Sequence, residues 1–131
     1  MTDPTRYIRE MYVAGLYGVV SCYDQKAPPN AVAPYAVIRN VSKSKEQTKC
    51  ILWKCDVTLD LYDEFTELGN TAVMDVITDD ILTTFTASPL PAIDNFSHAK
   101  AMLASDDQDI IDNEDLKQYR KTIRISHWVQ Q

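Results

Sequence analysis

Residues Lys49–Phe65 read KCILWKCDVTLDLYDEF. Within them Ile51, Trp53, Cys55, Val57, Leu59 and Leu61 fall on one parity, and Lys54, Asp56, Thr58 and Asp60 on the other. Side chains of a strand alternate between faces, so this pattern predicts a strand with one apolar and one wet face. Cys50 and Cys55 differ in parity and lie about 16 Å apart along an extended chain. They leave opposite faces of the sheet, so they can neither pair nor share a zinc ion, which needs close cysteine pairs and further ligands. From Thr48 to Tyr62 the strand would span about 50 Å, against a usual 17–20 Å. Either it bends at a bulge, or one end projects beyond the domain. The polar run SKSKEQTK before it, Ser42–Lys49, reads as a hairpin end or an exposed arm.

Ahead of that run, Tyr35–Val41 is rich in β-favouring residues and predicts another strand. Three prolines within Asp24–Pro34 keep that segment out of a sheet centre and make it a loop. A helix is expected from Thr5 to Val20, capped by Thr2 or Asp3, with Pro4 suited to a first turn. Tyr7, Ile8, Met11, Tyr12, Leu16 and Val19 form its apolar stripe, and Val20–Tyr23 a short strand after it. A second helix, capped by Thr66 or Asn70, runs to about Phe85. Val73, Val76, Ile77, Ile81 and Phe85 are expected inside, and Asp75, Asp79 and Asp80 on a solvated face. Weaker β segments follow at Ala92–Phe96 and Ala99–Ala104, and a last strand at Tyr119–Val129. On that strand Tyr119, Ile123, Ile125, His127 and Val129 share a face. The order predicts a single α+β domain over residues 1–131, with two helices on one mostly antiparallel, twisted sheet that has one long strand and a projecting hairpin arm.

The 131 residues suffice for one core without disulfide or metal support. A net charge of −6 argues against sequence-independent nucleic-acid binding, which needs a basic face. Cys22, Cys50 and Cys55 have no disulfide-framework spacing, which favours a reducing compartment. Met11–Val20 follows Arg6 and Arg9 and runs into Ser21-Cys22, the outline of a lipoprotein signal. Asp3 and Glu10 sit where that signal should be purely basic, and the same residues make a good helix, which is preferred.

His98 and His127 have no nucleophile elbow or metal spacing around them, and His127 is expected to be a hydrogen-bonded sheet residue. The run Asp106, Asp107, Asp109, Asp112, Glu114 and Asp115 lacks the glycine of a calcium loop and is interrupted by Ile110-Ile111. It is expected to form a solvated hairpin tip; in a functional role, repelling a polyanion suits it better than catalysis. No cofactor or metal site is expected.

The run CYDQKAPPNAVAPYAVI, with Tyr23-Asp24, Pro28 and Pro34-Tyr35 bracketing a loop that enters a strand, resembles a known family. So do the long strand ending LDLYDEF, the spacer with Gly69 and the helix NTAVMDVITDDIL. The family is that of the tail terminator (tail completion) proteins of tailed bacteriophages and their neck-protein relatives. The resemblance covers Tyr7–Phe85 and, more loosely, Tyr119–Val129, whereas Ser88–Leu116 is longer and more acidic than the family pattern. It implies a non-enzymatic virion subunit, assembled in the host cytoplasm into a homo-oligomeric ring, often a hexamer. That ring would cap the tail tube and join it to the neck and head connector proteins, with genomic DNA passing through unbound and no membrane involved. Ser42, Lys43, Ser44, Lys45, Glu46, Gln47, Thr48 and Lys49 would carry subunit contacts, and Asp106–Asp115 would face the lumen or a partner. Alternatives are a stopper or adaptor ring of the neck, a small cytoplasmic enzyme using Cys22 or a carboxylate pair, and a lipoprotein binding module.

Overall fold

A computed structural model of the chain describes residues 3–32, 34–47, 52–64, 72–112 and 117–130, with only the backbone described at 46, 47, 64, 72, 108–112, 117 and 118. Two helices, α1 (Thr5–Leu16) and α2 (Ala72–Thr86), accompany β1 (Ser21–Asp24), β2 (Tyr35–Gln47), β3 (Leu52–Glu64), β4 (Ser97–Asp112) and β5 (Lys117–Gln130). The strand order is β1-β2-β3-β5-β4; β1 is parallel to β2 and every other pair is antiparallel. This is the expected α+β fold on a mostly antiparallel sheet.

In α1, the Asp3 carboxylate accepts the Thr5 N–H at 2.9 Å, and Ile8, Met11, Tyr12 and Leu16 are buried. The helix ends at Leu16, short of the expected Val20. Gly18 takes φ +85°, a left-handed turn that glycine adopts without a Cβ clash. The N–H groups of Val19 and Val20 return to the Leu16 carbonyl at 2.9 and 3.2 Å, closing the helix end.

The alternation of residues 52–61 is realised in β3, where Cys55, Val57, Leu59 and Leu61 are buried against the helices. The opposite face is less wet than the sequence suggests, because Thr58 and Asp60 are each only 3% exposed. Cross-strand polar pairs cover it. Thr122 donates to Asp60 Oδ1 at 2.9 Å, Arg39 Nε lies 3.5 Å from Asp60 Oδ2, and Ser126 donates to Asp56 at 2.5 Å. The length of β3 is shared by its neighbours. β5 pairs with it from Leu52↔Gln130 to Glu64↔Gln118 without a break, and the bulges lie in β2 and β4 instead. Among the described residues β3 therefore leaves no unpaired excess. Cys50 and Ile51 lie outside the described residues.

Three further expectations are corrected. Val73 and Val76 are 51% and 60% exposed, not buried. The inward line of α2 runs through Met74, Ile77, Thr78, Ile81 and Phe85, and the Thr78 hydroxyl is satisfied there by donating to the Met74 carbonyl at 2.7 Å. Ala92–Phe96 forms only an Ile93↔Phe96 bridge, with Asn95 at φ 66°. Asp106–Asp112 belong to a strand rather than a hairpin tip, because β4 continues to Asp112 alongside β5. The expected caps Thr66 and Asn70 lie outside the described residues, while Asp75, Asp79 and Asp80 are exposed as expected.

Both helices pack on the same sheet face. Tyr12 of α1 stacks on Phe85 of α2, ring centroids 4.0 Å apart, and meets His127 of β5 edge-on. Gly15 makes this approach possible, since a Cβ there would sit 2.7 Å from the Phe85 ring.

Candidate assembly surface

The residues singled out for subunit contact lie along the second half of β2. Ser42–Gln47 pair with Leu52–Asp56 of β3, so they form a hairpin end whose inner edge is filled. Their outer edge is open. β1 pairs only with Tyr35–Ile38, so among the described residues no strand lies beside β2 from Arg39 to Gln47. Ser42, Lys43, Ser44 and Lys45 are exposed. Glu46 and Gln47 occupy the last strand positions, and Thr48 and Lys49 lie outside the described residues. Lys43 bonds the Asp3 carboxylate, holding that carboxyl down at about 2, and its ammonium lies 5.5 Å from the Trp53 ring centre. The open backbone edge extends to Arg39 and Asn40, beyond the residues picked from sequence. Only the shortness of Val20–Tyr23 hinted at it, since a short edge strand cannot cover a long neighbour.

The acidic segment lies at the far side of the sheet on β4, whose outer edge is also open among the described residues. Asp106 and Asp107 are exposed, Asp109 and Asp112 hold later strand positions, and Glu114 and Asp115 lie outside the described residues. Within one chain the two candidate segments are not brought together. Asp106 is 3.4 Å from the ammonium of Lys121, which also lies 3.6 Å from Asp75. Lys121 has the parity of the buried face and is 8% exposed, yet the sequence reading passed over it.

The histidines form a hydrogen-bonded chain that runs from half-buried His98 to fully buried His127. The Pro91 carbonyl can only accept, so His98 Nδ1–H donates to it at 2.9 Å. His98 Nε2 then accepts from His127 Nδ1–H at 2.9 Å, and His127 Nε2 accepts the Tyr12 hydroxyl proton at 2.5 Å. Burial holds His127 down at about 3, lowers His98 and raises Tyr12, so all three groups are neutral at pH 7. The chain ties α1 to β5 and β4. It leaves no free base beside a nucleophile.

Cysteine chemistry is disfavoured in the same way. Burial pushes the Cys22 thiol up to about 11 and the Cys55 thiol up to about 12, so neither is an activated thiolate. The groove along α1 is lined by charges already engaged: Arg9 donates to Asp24 at 2.5 Å and Arg6 to Glu10 at 3.1 Å. Among the described residues no group of three or more His, Cys, Asp or Glu side chains could hold a metal ion. No helix among them is long and apolar enough to cross a membrane.

No family model and no curated protein matches the chain. Among solved structures, a chain of the virion of native gene transfer agent (GTA) particle is similar with a TM-score of 0.65. The two are 13% identical, over 96% of this chain and 90% of that one. At that identity the likeness shows a shared fold spanning nearly the whole of both chains.

Proposed function

We propose that this protein is a structural virion subunit: a ring-forming tail terminator or neck component that caps a tail tube and joins it to the head connector. The observation that carries the proposal is the near end-to-end fold likeness to a chain of a gene transfer agent virion. Support comes from the fold itself, which among the described residues has open strand edges at opposite sides of one sheet. Such an edge invites pairing with another chain, and a head-to-tail contact closes into a ring where the rotation permits. The protonated thiols and the engaged histidines favour a non-enzymatic role. The subunit acts in the virion, with Ser42–Lys49 at subunit contacts and Asp106–Asp115 facing the lumen or a partner. A net charge of −6 lets DNA pass such a lumen without being held.

Native mass measurement and electron microscopy of the purified protein test this, alone and with tail tube and with connector. Rings that dock on tube ends are expected, and docking on the connector alone would favour a stopper or adaptor. A protein that stays monomeric at high micromolar concentration and assembles with neither would overturn the proposal.

A further inference from the structure

The two open edges differ in charge. The uncovered stretch of β2, Arg39–Gln47, carries exposed Arg39, Lys43 and Lys45 against one carboxylate residue, Glu46. The second half of β4, Ser105–Asp112, carries Asp106, Asp107, Asp109 and Asp112, whereas its first half carries Lys100 and no carboxylate. At about 3.3 Å per residue both stretches are about 25–30 Å long. Because β1 stops opposite Ile38, the β2 stretch is a notch of defined length in the sheet edge.

Direction and facing limit how one copy could fill the notch of another. β2, β3, β5 and β4 alternate in direction, so β4 runs opposite to β2. If a second copy continues the sheet, β4 of the first meets β2 of the second antiparallel, the hairpin geometry. A register slip of one residue would turn the helix-covered face outward, so allowed registers differ by two. Lys45 and Val41 lie opposite Trp53 and Val57 on the helix-covered face, and Asp106 and Ile110 lie opposite Ile123 and Tyr119 on that same face. Setting Asp106 opposite Lys45 then brings Ile110 opposite Val41 and Asp112 to the level of Arg39. On the helix-covered face, shifting by two one way sets Ile110 against Lys43, and the other way sets Gln108 against Val41. Placing the first half of β4 in the notch sets Lys100 among the cations.

We propose that the two candidate segments are the two sides of one contact: Ser105–Asp112 of β4 pairs antiparallel with Arg39–Gln47 of β2 in a second copy of this chain, Asp106 opposite Lys45. The contact rests on the ring reading and specifies its interface. The acidic strand thereby faces the neighbouring subunit, and its hairpin end stops where β1 of that neighbour begins.

Paired cysteines test the register in a Cys50→Ser background. Directly opposed strand residues have Cβ atoms about 4.5–5.5 Å apart, close to disulfide reach. Lys45→Cys with Asp106→Cys is expected to give a ladder of covalent multimers on oxidation, whereas Lys45→Cys with Lys100→Cys stays monomeric on denaturing gels. As a check independent of disulfide geometry, Lys45→Glu and Asp106→Lys should each raise the half-assembly concentration about tenfold, and their equimolar mixture should restore it. Rings with no ladder from the first pair, or with equal ladders from both, overturn this contact and leave the ring standing. Absence of any assembly by the unmodified protein, with or without tail tube, overturns both.

Discussion

Lowering the pH from 7.5 to 5 should destabilise this protein through His127. The imidazole is buried, accepts from Tyr12 and donates to His98, and is held neutral down to about pH 3. In the unfolded chain it takes up a proton near pH 6.5. Between those values the unfolded state binds more protons than the folded one, so stability is full above 6.5 and is lost as pH falls towards 3. At pH 5 the gap below 6.5 is about 1.5 pH units at about 1.4 kcal/mol each, a loss of about 2 kcal/mol from His127. His98, also lowered by burial, adds in the same direction. These are the only two histidines, and ordinary carboxylates begin to titrate below this window. Urea unfolding at fixed protein concentration and pH 7.5, 6.5, 5.5 and 5.0 measures the slope. His127→Gln offers Tyr12 an acceptor and His98 a donor without titrating, so it should flatten most of that slope. A wild-type stability unchanged between pH 7.5 and 5, or the same slope in His127→Gln, would refute the reasoning.

Gly15→Ala gains about 1 kcal/mol of helix propensity but drives a methyl into the Phe85 ring stacked on Tyr12. Overpacking of about 1–3 kcal/mol should win, lowering the urea midpoint, and the same change with Phe85→Leu should recover part of the loss. Lys121→Met keeps the apolar stem and should cost about 1 kcal/mol or less. Lys121→Glu places a third carboxylate beside Asp75 and Asp106 and should cost about 2 kcal/mol or more in the same assay. Cys55, fully buried and protonated, should resist iodoacetamide at pH 7.5 until the protein is unfolded, as residue-resolved mass mapping would show.

Much of the fold was legible because the strongest local signals agree with the tertiary structure. Parity marked Cys55, Val57, Leu59 and Leu61 as core, and helical spacing marked Ile8, Met11, Tyr12 and Leu16. The errors fall where partners at long sequence separation decide. Asp60 is buried beneath the Thr122 hydroxyl and the Arg39 guanidinium of neighbouring strands, which parity cannot foresee. Lys121 is tolerated on the core face only because α2 and β4 each bring a carboxylate to it. The acidic run carries turn-like composition, yet β5 alongside it fixes an extended backbone through Asp112. For the candidate surface, polarity and strand length point to Ser42–Lys49, but neither says which strand has an uncovered backbone edge. β3 is paired on both sides from Leu52 to Tyr62, and among the described residues the uncovered edge belongs to β2. Sheet order is a non-local property, and no residue pattern encodes it directly.

β5 follows β4 in the chain yet lies between β3 and β4 in the sheet. A ribosome delivering this chain therefore releases β1, β2, β3 and α2 before the strand that joins them to β4 exists. Until then β3 presents its apolar row and a vacant backbone edge to its surroundings, where sibling nascent chains can reach it. Pairs such as Leu52↔Gln130 join residues far apart in sequence, so closure of the sheet is slow and falls late. Overproduction would expose this interval first, as insoluble protein from a sequence whose finished fold is sound.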